Sequence, residues 1–335
     1  MRLRASWVAL AAMTLACAAL PAAADAIQQI IDQVTVAEYQ SYIRVLSGVD
    51  PVYENPHYYI QSRHAFSGGA HIAAEWIQGR FESWGLSTYT HIFNWTYPPN
   101  VVAELPGTTR PQDIYLITGH YDTVPNTPGA DDNASGTSAV MTAARILSQY
   151  QFEGTLRFIA FSGEEEGLVG SEAYAAGVAG AGENIAGVIN LDMILHPAWD
   201  NTEPDPDYDL DIGTNAASDW LAQDLAAKFA QYTPIDVEVW LDTFGNSDHS
   251  PFWQYGYSAI RLSEHTTPEN WYEGANDAYH QPTDTFDNPD YDYEFAHHAV
   301  RGSMAELISL AGLVPEPHAF AALALAAAVA RCRAK

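Results

Sequence analysis

Glu164, Glu165 and Glu166 stand between Gly163 and Gly167, directly after the apolar, strand-like segment Leu156–Phe161. Adjacent carboxylates at a strand end can divide labour: one ligates a hard or borderline metal ion while its neighbour handles a proton. Taken alone, the run reads equally well as a solvated acidic loop. Its company changes the reading. His120–Tyr121–Asp122, Asp131–Asp132–Asn133, Asn190–Leu191–Asp192 and Tyr279–His280 each close a predicted strand or open a loop. Together they supply His, Asp, Glu, Asp and His, a donor set for two zinc ions in a hydrolytic centre.

His120 and Asp122 are two apart at a strand end and therefore point to the same side. A metal-ligating His usually passes its other N–H to a carboxylate, and Asp122 is placed to accept it. Asp132 follows Pro128–Gly129–Ala130 and precedes Asn133–Ala134–Ser135–Gly136, a loop opening the next helix. Such an Asp is ordinarily an N-cap; here a carboxylate bridging two metals is the sharper reading. Asp192 leaves an apolar strand, where a lone carboxylate is costly unless it is paired or binds a cation. His nitrogen and carboxylate oxygen suit zinc or another borderline divalent ion. Two such ions sharing a water would lower its pKa toward ~7 and polarise a scissile carbonyl. A free carboxylate must then take the proton and return it to the leaving amine. No Gly-x-Ser-x-Gly and no His-Glu-x-x-His offers a competing hydrolytic motif.

The elements that position these residues read as one domain from residue 26 to 313, without a Gly/Ser linker or internal repeat. Helical spacing covers Ile27–Leu46, His71–Trp84, Ser135–Tyr150, Asn215–Gln231 and Tyr291–Gly312. Strands are expected at Asp113–Thr118, Leu156–Phe161, Ile185–Met193, Val237–Val239 and Ser258–Leu262. The alternation predicts an α/β fold, a single domain whose mixed, mostly parallel sheet is flanked by helices on both faces. The chemically loaded residues fall at C-terminal strand ends, where open α/β sheets build their sites. His196–Asp211, rich in Asp and Pro, reads as a surface excursion.

The two ends look like addresses. Arg2 and Arg4, the apolar run Trp7–Leu20 and Ala22–Ala23–Ala24 have signal-peptide order over residues 1–24. Cys17 invites a lipoprotein reading, but Thr14 stands where that motif wants Leu. Val314–Pro315–Glu316–Pro317, an Ala/Leu-rich stretch and then Arg331, Arg333 and Lys335 make up residues 314–335. That tail resembles the PEP-type C-terminal sorting signal, which implies an exosortase-type partner and cleavage; the alternative is an amphiphilic tail helix or weak anchor. The apolar stretch is short of the ~20 residues of a stable span, so no permanent membrane span is expected in the mature form. Export to the cell envelope surface or beyond follows. The two cysteines, Cys17 and Cys332, lie inside these segments, so zinc must be held by His and carboxylates. The net charge of −28 argues against nucleic acid and anionic membranes as partners.

The motifs Gly119–His120–Tyr121–Asp122–Thr123–Val124, Gly129–Ala130–Asp131–Asp132–Asn133–Ala134–Ser135–Gly136, Glu164–Glu165–Glu166–Gly167–Leu168–Val169–Gly170–Ser171, Asn190–Leu191–Asp192–Met193 and Tyr279–His280 occur in one order. In that order the chain resembles metallopeptidase family twenty-eight, the co-catalytic zinc aminopeptidases related to glutamate carboxypeptidase-type enzymes and glutaminyl cyclases. The resemblance runs from Asn100 to Thr285 and implies a zinc aminopeptidase/phosphorylase-hydrolase-like fold. It makes Asp132 the ligand bridging two Zn2+, with His120 and Asp192 completing one site and Glu165 and His280 the other. Glu164 becomes the general base, and Tyr279 matches a Tyr that some members use on the oxyanion. Glu166 falls where the family often has an apolar residue and is read as exposed. Asp248 and His249 are left out of the metal set as a structural hydrogen-bonded pair; His297 and His298 are given no function. The implied activity is aminopeptidase action on peptides. The alternatives are a carboxypeptidase or glutaminyl cyclase on the same scaffold, or an inactive surface-binding relative.

Overall fold

The computed structural model describes residues 23–54, 56–197, 209–242, 245–264 and 276–315. The chain runs α1 (Ala23–Ile31), α2 (Val36–Leu46), a small hairpin β1 (Tyr53–Glu54) and β2 (His57–Tyr58), then α3 (Gly68–Ser83). β3 (Ser87–His91), β4 (Asn100–Leu105) and β5 (Arg110–His120) lead through a wide turn at Ala130–Ser135 to α4 (Gly136–Leu147). Then come β6 (Gly154–Phe161), α5 (Val169–Ala181), β7 (Asn184–Leu191), β8 (Asp209–Thr214), α6 (Asp219–Tyr232) and β9 (Asp236–Leu241). α7 (Ser250–Trp253), β10 (Ala259–Glu264) and α8 (Tyr293–Ala311) complete it.

The main sheet has the order β3-β4-β6-β5-β7-β10-β8-β9. Its centre, β6-β5-β7-β10, is parallel, while β3-β4, β4-β6 and β10-β8 pair antiparallel. Alternation sorts the two faces: Tyr115 and Ile117 of β5 join one core with Leu156, Phe158 and Ile189, and Ile114 and Leu116 join the other with Ile159, Phe161 and Val188. The first core is covered by α1 to α4, α6 and α8, the second by α5 and α7. Burial on both faces is why the central strands read as nearly unbroken apolar runs. Phe158, fully buried in the larger core, carries a share that Phe158→Ala would remove at a cost of about 3–5 kcal/mol.

Three differences from the sequence reading have local causes. The helix expected over Ile27–Leu46 is split, because the Thr35 hydroxyl accepts from the Glu38 amide and starts α2 afresh. The excursion expected at His196–Asp211 ends in strand β8, which pairs with both β10 and β9; residues 198–208 lie outside the described residues. β3, β4 and α5 were not anticipated. The expected leader and sorting tail lie outside the described residues apart from their inner ends, and Ala23 and Ala24 fall in the first turn of α1. Among the described residues no helix is long and apolar enough to cross a membrane.

β5 lies between β6 and β7, so the connections leaving these strands diverge to opposite sides at its C-terminal end. A crevice opens at such a switch point. His120 ends β5, Glu164 and Glu165 follow β6, and Asp192 follows β7.

Candidate metal centre

Each donor is delivered by a specific piece of backbone. Gly163 adopts φ +73°, turning the chain so that Glu164 and Glu165 rise from the end of β6. Asp132 sits in the turn before α4, which approaches β7 so closely that a Cβ on Gly136 would lie 2.2 Å from the Leu191 carbonyl oxygen. His280 arrives from the loop before α8 in the left-handed region at φ 57°, a conformation that costs energy for a non-glycine residue and persists where surroundings enforce it.

The donors converge. His120 Nε2 lies 3.2 Å from Asp192 Oδ1 and 3.4 Å from Asp132 Oδ1. His280 Nε2 lies 3.1 Å from Asp132 Oδ2 and 3.2 Å from Glu165 Oε2. The two oxygens of Asp132 thus face different histidines. Bonds of ~2.0–2.1 Å about a tetrahedral ion separate its donors by about 3.3 Å, so these spacings fit two zinc ions sharing Asp132. The remaining oxygens are held: Glu165 Oε1 accepts from the Val124 amide at 3.1 Å, and Asp192 Oδ2 accepts from the Ser247 hydroxyl.

The electrostatics follow from crowding carboxylates in a buried place. Burial works against charging His120, but Glu164 and Asp192 outweigh it and raise its pKa well above the ordinary value. Burial likewise opposes a charged His280, yet its contacts with Asp132 and Glu165 push it up to about 10. Asp132 is lowered against burial by the same two rings. Glu164 is raised well above the usual carboxylate range by burial, with His120 opposing and Asp192 adding to it. The centre therefore calls for positive charge, which protons supply here and divalent ions would supply by displacing them.

Tyr279 stacks on His280 with ring centroids 3.7 Å apart and is 41% exposed. Burial of its hydroxyl, then Asp132 and Asp192, raise its pKa, so it remains a donor. Asp122 does more than face His120. The nearer acceptor for His120 Nδ1 is the Asp122 main-chain carbonyl at 3.2 Å, while the carboxylate lies at 3.7 Å. That carboxylate accepts the amides of both Glu164 and Glu165 at 3.3 Å, fixing the turn that carries them.

Two expectations are corrected. Glu166 is not exposed: it is part-buried and pairs with His64 Nε2 at 3.1 Å. His249 pairs with Asp242 at 3.0 Å rather than with Asp248, which is itself buried and pushed up to about 7 by burial against the pull of His120.

The sequence reading missed the braces. Asp284 accepts the amides of Asp131 and Asp132 at 2.8 and 3.1 Å and the Tyr291 hydroxyl at 2.8 Å, so it holds the bridging segment from behind. Asn133 ties that segment to β7 through the Leu191 carbonyl. The buried Arg63 donates to the carbonyls of Tyr121 and Gly129, which flank the two ligand segments. Asp284 stood in Thr283–Asp284–Thr285, at the end of the family resemblance, and could have been found there; Arg63 had no local signal.

Comparison with known proteins gives the family. Residues 100–302 match the model of peptidase family M28. A probable zinc metalloprotease of Leptosphaeria maculans is 30% identical over 62% of this chain, and aminopeptidase YwaD of Bacillus subtilis is 33% identical over 52%. The matched regions span only 52% and 38% of those two proteins. Among solved structures, the Legionella pneumophila LapA aminopeptidase superposes with a TM-score of 0.73 at 20% identity, covering 87% of this chain and 76% of its own. Glutaminyl cyclase of Porphyromonas gingivalis superposes at 0.61 and 18%, covering 82% and 98%. At these identities the two structures speak for the fold alone. The family model spans more than half of the chain and contains every donor described above, and the chain belongs to peptidase family M28.

Proposed function

We propose that the protein is an exported dizinc aminopeptidase that releases N-terminal residues from peptides. The observation that carries this reading is the placement of Asp132, one carboxylate oxygen toward His120 and the other toward His280. His120 and Asp192 would hold one zinc, Glu165 and His280 the other, and Asp132 both. Zinc, when bound, supplies a Lewis acid and a water of lowered pKa. Everything else is the work of side chains. Among the described residues no hydrogen bond engages the Glu164 carboxylate, and burial raises its affinity for a proton. It is suited to take a proton from the nucleophile and return it to the leaving amine. Asp122 keeps Glu164 and Glu165 in register through their amides. The Tyr279 hydroxyl is the donor proposed for the developing oxyanion. The acidic cluster attracts the free α-ammonium group of a peptide. The aminopeptidase name of YwaD supports the same direction. Export rests on the signal-peptide order at the N-terminus, and envelope sorting on the Pro315–Glu316–Pro317 tail and an exosortase-type partner.

The test is a panel of free and N-acetylated peptides with the purified zinc-loaded domain. Free peptides should be cleaved at least about 100-fold faster, because a blocked amine loses its charge. Equal rates on both would rule out the aminopeptidase assignment, and cleavage from the C-terminus would replace it with a carboxypeptidase.

A further inference from the structure

A second cluster of donors lies on the first two turns of α8 and uses no residue of the centre above. Glu294, His297 and His298 are at i, i+3 and i+4, the spacing that places side chains together on a helix. One nitrogen of each imidazole and a carboxylate oxygen of Glu294 lie within 4.8 Å of one another. The two rings are 4.9 Å apart between centroids.

His297 is the informative member. It is only 8% exposed, and its Nε2 lies 3.1 Å from the Val34 carbonyl oxygen, in the turn between α1 and α2. A carbonyl only accepts, so Nε2 carries the hydrogen and Nδ1 carries a lone pair. That Nδ1 is buried with no hydrogen-bond partner among the described residues, 3.8 Å from Glu294 Oε2. His298 Nδ1 is also buried without a partner. An unsatisfied buried polar atom costs about 1–3 kcal/mol and is uncommon. Here two of them sit on adjacent residues beside an exposed carboxylate.

We infer that Glu294, His297 and His298 form a second metal site that takes one borderline divalent ion such as zinc. Two imidazoles and a carboxylate are a three-ligand zinc set, leaving further positions to water. An imidazole that donates its other N–H to a main-chain carbonyl is the usual arrangement behind a metal-bound His. Burial lowers the pKa of both imidazoles, so both are neutral and able to ligate at neutral pH. Two charges oppose a cation here, and both are met. The positive end of α8 is capped by the Asp292 carboxylate, which accepts the amides of Glu294 and Phe295. Arg301, one turn further on, is paired with Asp32 of the α1–α2 turn. An ion in this site would stiffen the first two turns of α8 and, through His297, its attachment to the N-terminal helices.

The experiment compares the full chain with Glu294→Gln and His298→Ala, using zinc itself as the probe. Equilibrium dialysis at fixed free zinc should find one equivalent fewer in His298→Ala. In Glu294→Gln the corresponding affinity should fall at least about 10-fold. Excess zinc should raise the thermal midpoint of the parent by a few degrees more than that of either variant. Asp132→Ala should lose zinc from the other centre and keep this equivalent, which separates failure here from failure of the dizinc reading. Glu294 is exposed, so Glu294→Gln tests the site without threatening the fold. Unchanged stoichiometry and unchanged zinc response in both variants would overturn the site.

Discussion

Arg63 gives the sharpest test of how the centre is held. It is 1% exposed, and its guanidinium donates to four main-chain carbonyls: Nε to Tyr121 at 2.6 Å, Nη1 to Leu46 at 2.5 Å and Pro128 at 2.8 Å, Nη2 to Gly129 at 2.7 Å. Tyr121 follows His120, and Gly129 begins the turn that presents Asp132. Burial pushes the Arg63 pKa down to about 10, while Asp284, Asp132, Asp122 and Glu165 pull it up, so it stays charged at neutral pH. Arg63→Met keeps much of the apolar stem and deletes every donor. The Gly129 carbonyl keeps the Ala134 amide at 3.1 Å, so three acceptors are left unpaired, and at the low end of ~1 kcal/mol each they amount to about 3 kcal/mol. Relief of the buried charge's desolvation offsets part of this, and removing one member of a buried ionic set typically costs ~3–5 kcal/mol. A loss of about 3 kcal/mol is therefore expected by urea unfolding of the metal-free protein. The zinc-loaded protein should lose less, because its ions replace the missing positive charge among the carboxylates. Arg63→Lys should recover under half, since one ammonium cannot span four carbonyls arranged around a planar fork. A variant within about 1 kcal/mol of the parent, or a larger loss with zinc than without, would refute the reasoning.

Glu164→Gln should lower kcat by ~10²–10⁴-fold with zinc retained, whereas Glu165→Gln should also lose zinc; metal analysis showing the reverse would swap the two roles. Stability of the metal-free protein should fall as pH rises from about 6.5 to 10. Burial opposes a charged His280, yet Asp132 and Glu165 hold it up to about 10 from an ordinary value of 6.5. Across that window the folded chain binds the extra proton, so the unfolded state binds fewer protons than the native one and the unfolding free energy drops with pH. Thermal melts in chelator check this, and a midpoint that rises across that window would contradict it. The exported mature protein should lack Cys17 and Cys332 by intact mass; retention of Cys332 would count against sorting, and acylation at Cys17 would establish a lipoprotein.

What was legible in the sequence was the centre of the sheet and what stands at its edge. β5, β6 and β7 are buried on both faces and so appear as apolar runs, and the polar residues that end them are conspicuous for that reason. β3, with the sequence Ser-Thr-Tyr-Thr-His, is a part-exposed edge strand and carries no apolar signal. α5 is built largely of Ala and Gly over Val169–Ala181, which leaves its face unmarked. The break before α2 was legible in Thr35 and Glu38 at capping spacing, but apolar periodicity on both sides concealed it. The braces were hidden for a different reason. Asp284 meets Asp131 across 153 positions and Arg63 meets Gly129 across 66, and no local pattern encodes such pairings. The role of the Asp122 carboxylate was obscured because its partners are backbone amides, which every residue possesses.

The most direct test of the metal centre is anomalous diffraction at the zinc edge from crystals grown without chelator. Two peaks are predicted at the C-terminal ends of β5, β6 and β7, on either side of the Asp132 carboxylate, each ~2.0–2.2 Å from one of its oxygens. One should also contact His120 and Asp192, and the other Glu165 and His280. A single peak there, or two peaks of which either leaves Asp132 untouched, would contradict the account.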